Sequence, residues 1–204
     1  AVAATRGQVL LSGQRVIPTV FSSNCGGWTE SNENIWSSPP DAALRGRSDG
    51  VAGGISPASI DKWLHSSPKA NCSDDGKGYR WTRKLSRAEV TASVNKVVSV
   101  GTVKDLIPLE RGVSGRLKSL KVVGSGGTEI INKELPIRQA LGGLPSAMFV
   151  VSKSGDSGFI ITGGGRGHGV GLCQYGARGL AGKGMPCSRI LEQYFSGAKM
   201  GSLR

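Results

Sequence analysis

The residues of this chain best placed to do chemistry lie in GGGRGHGVGLCQYGARGLAGKG, positions 163–184, where ten glycines surround His168, Cys173, Gln174 and Tyr175. Glycine-rich loops that cradle phosphates obey fixed spacings, and this stretch misses them. Gly163 and Gly165 would require a glycine at 168, which is histidine, and Gly165 and Gly167 one at 170, which is valine. No glycine pair is followed by the Lys and Ser or Thr of a nucleotide-binding P-loop. A strand-to-helix corner accounts for two or three glycines. Six among positions 163, 164, 165, 167, 169 and 171 predict close approach of the backbone to a ligand or to another chain segment. Such a corner would present His168, followed by Gln174 and Tyr175 on the first turns of a helix. A single histidine makes it a poor metal site.

Other candidate groups are scattered. Glu30, in GGWTESNE beside Trp28, is the best-placed carboxylate for acid/base work, although loop carboxylates often cap nearby amides instead. Glu89 is committed to a capping box with Ser86, and Glu192 faces solvent on a terminal helix. Cys25, Cys72, Cys173 and Cys187 show no C-x-x-C spacing. The preferred reading is two disulfides in an exported protein, Cys173 with Cys187 and Cys25 with Cys72. Free buried thiols are the alternative, and a zinc site from Cys25, Cys72 and His65 has irregular spacing. No metal and no cofactor is assigned. Trp28, Trp36, Trp63 and Trp81 could offer faces for sugar stacking or be buried.

The elements that must position these residues are short. TRGQVLLSGQRVIPTVFSS reads as two strands about a turn at Ser12-Gly13. Residues 45–78 are irregular, with one helical candidate in PASIDKWLHSS. YRWTRKLS is a strand, and Ser86 caps the helix after it. Three strands follow in VGTVKDLIPLERGVSGRLKSLKVVGSGGTEIIN, then a short helix in KELPIRQALGG closed by glycine. SAMFVVSKSGDSGFIITGGG is a hairpin running into the glycine corner. Helices are expected over about 170–181 and 186–195, the latter opened by Pro186. Hairpin connections rather than alternating strand and helix predict an α+β fold, mostly antiparallel hairpins with interspersed short helices. The chain reads as one domain, 1–204, with an irregular insertion at about 45–78.

Lys and Arg outnumber Asp and Glu by 26 to 14, a net charge of +12, which favours a polyanionic partner. No run of like charges and no basic arm is present, so nucleic acid is not the expected partner. No apolar run reaches the roughly 18 residues that span a bilayer, and the first residues lack a signal peptide's basic head and apolar centre.

The glycine corner resembles the closing motif of the SpoIID/LytB family, G-x-G-x-G-H-G-V-G-M-S-Q-Y-G-A, with Leu172 and Cys173 in place of Met-Ser. RGVSGRLKSLKVVGSGGT, IRQALGGLPSAMFVV, YRWTRKLSRAEV and TRGQVLLSGQRVIPTVFSSNCGGWTE resemble four further motifs of that family, in its order and over nearly the whole chain. The resemblance implies an exported, extracytoplasmic protein acting as a lytic transglycosylase on peptide-stripped peptidoglycan, or as an enhancer of a cell-wall amidase. It implies glycan contacts from Ser23, Trp28, Arg116, Arg138, Gln174 and Tyr175, and catalytic roles for Glu30 and His168. The family's acid/base glutamate lies upstream of the first hairpin motif, outside this chain. The protein is therefore expected to depend on an upstream segment, or on a separate N-terminal fragment, for its acid. The opening hairpin is expected to have bare edges without that partner.

Overall fold

The computed structural model describes residues 2–51, 59–75, 78–155 and 158–202. In chain order the elements are β1 (Gln8–Ser12), β2 (Arg15–Val16), β3 (Phe21–Ser22), α1 (Asn32–Ile35), α2 (Ile60–Ser66), β4 (Arg80–Ser86) and α3 (Arg87–Val94). They continue with β5 (Val103–Pro108), β6 (Ser119–Gly124), β7 (Thr128–Asn132), α4 (Glu134–Ala140), β8 (Phe149–Ser154) and β9 (Gly158–Gly164). The last are β10 (Leu172–Cys173), α5 (Gln174–Gly182), α6 (Cys187–Tyr194) and β11 (Lys199–Ser202). Four small sheets result, ordered β11-β1-β2, β10-β3, β4-β9-β8 and β5-β6-β7. The fold is α+β, as the hairpin pattern predicts.

Local chemistry sets most boundaries. The Ser86 side chain accepts from the Glu89 backbone N–H while Glu89 reaches back to the Ser86 N–H, so α3 begins where the capping box puts it. Gly13, at φ +62, turns β1 into β2 through a two-residue loop, since Ser12 faces Arg15. The expected second strand of that hairpin is shorter than the sequence suggests. Pro18 falls in its middle and cannot donate to a ladder, so the chain leaves β2 after Val16 and forms β3 in a different sheet. There it pairs in parallel with β10, Phe21 opposite Leu172 and Ser22 opposite Cys173. Because Leu172 and Cys173 are taken up in that pair, α5 starts at Gln174 rather than near Val170.

The expectation of bare edges on the opening hairpin is corrected. β11 pairs antiparallel with β1, Gln8 opposite Ser202 and Leu11 opposite Lys199, and so covers one edge from the far end of the chain. Within the irregular region, α2 forms from the helical candidate, whose first residues Pro57 and Ala58 lie outside the described residues. Its Trp63 and Leu64 are buried against Met148. Two larger cores flank that cluster. One joins α3 and α4 to the β4-β9-β8 and β5-β6-β7 sheets through Val90, Leu120, Ile137 and Phe159. The other packs β1, α5 and α6 around Leu10, Tyr194 and Phe195. The glycine corner leads from β9 in the first core into the second, to which it contributes Val170 and Cys173.

Candidate functional site

The corner is laced to the segment that follows β3. Asn24 and Arg166 exchange backbone hydrogen bonds at 3.1 and 2.8 Å, and the Glu30 N–H donates to the Gly169 carbonyl at 2.9 Å. Between these two strips runs the Arg116 guanidinium, which is 1% exposed. It donates to the Cys25 carbonyl at 3.2 and 3.3 Å, to Ser114 Oγ at 3.0 Å and to the Gly167 carbonyl at 3.4 Å. A Cβ on Gly169 would stand 2.5 Å from Arg116 Cζ, and one on Gly165 2.9 Å from Arg116 Nη2. The glycines are therefore small because a buried arginine lies beneath them. The close approach expected from the sequence is to another segment of the same chain.

Glu30 is the other pillar of this interior. It is 0% exposed. Its Oε1 accepts from the N–H groups of Ser31 and Val113 and from Asn34 Nδ2, at 2.8, 3.1 and 2.9 Å. Its Oε2 accepts from the Ser114 N–H at 3.0 Å and Ser114 Oγ at 2.6 Å. A carboxylate has roughly four lone-pair positions, so five donors fill it. A Cβ on Gly112 would meet Oε2 at 2.2 Å. Glu30 thus ties the β5–β6 connection to the segment beneath the corner.

His168 sits at the surface end of the corner, in a different setting from the one its glycine neighbours suggest. Its Nδ1 accepts from the Val170 N–H at 3.0 Å, and the ring makes a second hydrogen bond with the Phe21 backbone. Burial lowers its pKa to about 4, and the positive charges of Arg116 and Arg138 add to the effect. The imidazole is neutral near pH 7. One face packs against Trp36, with ring centroids 5.0 Å apart.

That contact forms the wall of a cleft of about 380 Å³ lined by Trp36, Lys133, Glu134, Leu135, Arg138 and His168, among others. Trp36 is 37% exposed, and its other side borders a second hollow of about 510 Å³ with Arg15 and Asp41. Lys133 continues the trough toward a third, of about 210 Å³, near Lys118. Arg138 Nε donates to the Leu144 carbonyl at 2.7 Å and Nη1 reaches Glu134 at 3.4 Å, leaving the rest of the fork at the cleft. Lys133 opens α4 at φ +74, a region non-glycine residues rarely adopt, and its Nζ donates to the Trp36 carbonyl at 3.4 Å. The trough is thus one aromatic face rimmed with lysine and arginine and with the carboxylates of Asp41, Glu134 and Glu110.

Residues 30–171, more than half of the chain, match the family model described as Domain of unknown function (DUF8618). The chain belongs to that family. It is also similar, over nearly its whole length, to three curated proteins. An uncharacterized protein of Brachyspira hyodysenteriae is 30% identical over 97% of this chain and 46% of its own length. Stage II sporulation protein D of Bacillus subtilis is 28% identical over 98% of this chain and 50% of its own. The amidase enhancer of Bacillus subtilis is 27% identical over 99% of this chain and 32% of its own. The SpoIID/LytB resemblance carried by the five motifs therefore extends along the chain as a whole. The chain spans half or less of the length of these relatives.

Set against the site residues expected from that resemblance, this member of the DUF8618 family brings together only some of them. His168 and Arg138 share the cleft. Arg116 and Glu30 lie beneath it, engaged with protein atoms. Gln174 is exposed at the start of α5, and Tyr175 lines a separate hollow of about 370 Å³ with Arg178 and Lys183. The Ser23 carbonyl accepts from the Tyr175 N–H at 3.1 Å. Trp28 packs edge-on against the fully buried Trp63, centroids 6.1 Å apart, and Trp81 donates from Nε1 to the Gly165 carbonyl. Trp36 is thus the tryptophan that presents a face. Sequence reasoning missed Lys133, whose only signal is its position just before a helix with a glutamate in its first turn.

The cysteines depart from the expected pairing. All four are free. Cys187 is exposed at the start of α6, whereas Cys173 turns inward to Cys25 and Cys72, so the expected Cys173–Cys187 bridge does not form. Cys25 and Cys72 lie together, but as thiols with Sγ atoms 3.6 Å apart. His65 stands apart, bonded to Asp61 on α2. Among the described residues no helix is long and apolar enough to cross a membrane.

Proposed function

We propose that this chain is the glycan-gripping unit of an extracytoplasmic cell-wall protein that cleaves peptide-stripped peptidoglycan strands as a lytic transglycosylase. The observation that supports this best is the trough where Trp36, His168, Arg138 and Lys133 meet. A sugar's C–H face stacks on an exposed indole, and a muramic acid stripped of its peptide bears a lactyl carboxylate that a guanidinium fork matches. The relatives, among them a sporulation protein and an amidase enhancer, are in keeping with work on the cell wall.

The reaction needs a carboxyl group to protonate the leaving glycosidic oxygen, after which the sugar's own 6-hydroxyl attacks C1, closes the 1,6-anhydro ring and gives its proton to the carboxylate so formed. Along the trough, Glu134 is buried and paired with Arg138, Asp41 is held by Arg15 at 2.9 Å, and Glu110 is paired with Lys118 at 3.3 Å; beneath it, Glu30 is filled with donors. A neutral His168 with both ring nitrogens bonded is no proton donor at pH 7 either. The acid is therefore assigned to a group outside this trough, in accord with the upstream glutamate that the family resemblance implies. Here His168 shapes the wall, Trp36 stacks, and Arg138 and Lys133 hold charge.

The test uses peptide-stripped and intact peptidoglycan. Stripped strands should bind more tightly, and Trp36→Ala should weaken that binding about five- to tenfold, the worth of roughly 1–1.5 kcal/mol of aromatic contact. Equal binding of both substrates, unaffected by Trp36→Ala, would rule out the glycan trough. 1,6-Anhydro-muramic products should appear when the upstream segment that the resemblance implies is joined to the chain. Binding without such products, together with faster hydrolysis by a cell-wall amidase, would favour the enhancer reading suggested by the amidase-enhancer relative.

A further inference from the structure

Where the glycine corner enters α5, three thiols and a carboxylate converge. The Sγ atoms of Cys25, Cys72 and Cys173 and a carboxylate oxygen of Asp49 all lie within 4.8 Å of one another, and all four residues are buried. They come from four separate segments: the turn after β3, the loop before α2, the turn before β4, and the N-cap of α5. We propose that Cys25, Cys72, Cys173 and Asp49 are the four ligands of a closed, tetrahedral structural zinc site.

Three observations carry the assignment. The first is spacing. Zinc–sulfur bonds of about 2.3 Å and zinc–oxygen bonds of about 2.0 Å put tetrahedral ligand atoms about 3.5–3.8 Å apart. Cys25 Sγ lies 3.6 Å from Cys72 Sγ and 3.3 Å from Asp49 Oδ2.

The second is the surrounding shell. Asp49 Oδ1 accepts from the Tyr194 hydroxyl at 2.7 Å and from Asn71 Nδ2 at 3.4 Å, which leaves Oδ2 turned toward the sulfurs. Cys173 Sγ accepts from the N–H groups of Cys25 and Gly176, at 3.1 and 3.4 Å. Bonds of this kind support a thiolate and orient it for a metal. Gly176 is required here: a Cβ on it would stand 2.1 Å from the Tyr194 hydroxyl and 2.6 Å from Asp49 Oδ2.

The third is charge. A buried carboxylate beside three thiols calls for a cation, and the basic groups around it serve other atoms, Arg80 the Gly26 and Trp63 carbonyls. Arg116 donates to the Cys25 carbonyl, and Lys183 Nζ to Asn71 Oδ1 at 2.9 Å. Three thiolates select zinc over magnesium or calcium, and four protein ligands with no solvent face make the site structural rather than catalytic.

The test is the metal content of the purified chain, measured by mass spectrometry of the native protein and by elemental analysis. One zinc per chain is expected. Cobalt substitution should give the intense visible bands of tetrahedral thiolate coordination. Cys187→Ser should keep metal and bands. Cys72→Ala and Asp49→Asn should weaken or abolish them. Tyr194→Phe, which removes only a partner of Asp49, should lower zinc affinity about tenfold or more. Should Cys72→Ala fail to fold, stoichiometry and cobalt spectrum of the unaltered chain still decide. Three readily alkylated thiols with no bound metal, or a metal-free chain lighter by two hydrogens with Cys25 and Cys72 disulfide-linked, would overturn the proposal.

Discussion

At Gly169 one carbon atom separates a working corner from a broken one. Its φ is +80, and the space a Cβ would fill is held by the Arg116 guanidinium, which cannot retreat without giving up buried hydrogen bonds. Gly184 has nearly the same backbone, φ +81, with nothing within 4 Å. Gly184→Ala should therefore lose only the backbone term, about 1–2 kcal/mol. Gly169→Ala should lose about 1–3 kcal/mol more through the clash. Denaturant midpoints of the two variants and the parent isolate the difference, and equal losses would show that Arg116 yields freely. His168 gives a pH signature at the same scale. Its folded pKa, about 4, lies below the ordinary value of 6.5, so the unfolded chain takes up this proton first. The stabilisation is complete above pH 6.5 and lost as pH falls toward 4. Melting curves of the parent should drop faster than those of His168→Gln over that window; parallel curves would contradict the burial of the ring. Glu30 and His168 stand out in the sequence through the motifs around them. The contacts of Glu30 do not, because three of its five donors come from Val113 and Ser114, more than eighty positions away.

Among the elements, α4 is entered under tension. Lys133 enters it at φ +74 and places its ammonium on the Trp36 carbonyl at the rim of the trough. A left-handed entry is tolerated by glycine and strained for lysine, and strain of this sort tends to collect where a side chain is needed. Lys133→Gly should raise stability by about 1 kcal/mol while weakening the binding of stripped glycan. Thermal unfolding and a pull-down on the same variant read both effects, and a loss of stability would mean that the lysine contacts outweigh the backbone. Elements with local signals stood out in the sequence: the Ser86 capping box, the turn at Gly13, the proline before α6. The parallel pairing of β3 with β10 did not. It joins Phe21 to Leu172, two-residue strands with no pattern of their own, and only the packing of the intervening chain brings them side by side.

For the whole molecule the net charge of +12 is the property that acts at a distance. Much of it is scattered: Arg15, Lys133, Arg138 and Lys118 follow one another along the trough, but Asp41, Glu134 and Glu110 pair with Arg15, Arg138 and Lys118 there. A polyanionic strand should be drawn to the molecule by this net charge, and the attraction should shorten with the screening length, from about 30 Å at 0.01 M salt to about 8 Å at 0.15 M. Binding of stripped peptidoglycan should thus fall steadily with added salt, whereas salt-independent binding would mean that stacking alone holds the strand. Composition made this charge plain from the start; its alignment became visible only once α1, α4 and the β6–β7 hairpin were folded against each other. The pairing of β1 with β11 has its own consequence. Gln8 faces Ser202, so the path into the fold and the path out of it share one doorway. Any polypeptide joined ahead of β1 and any joined behind β11 must start from neighbouring points, and a host protein could carry this fold as a bud on a single loop.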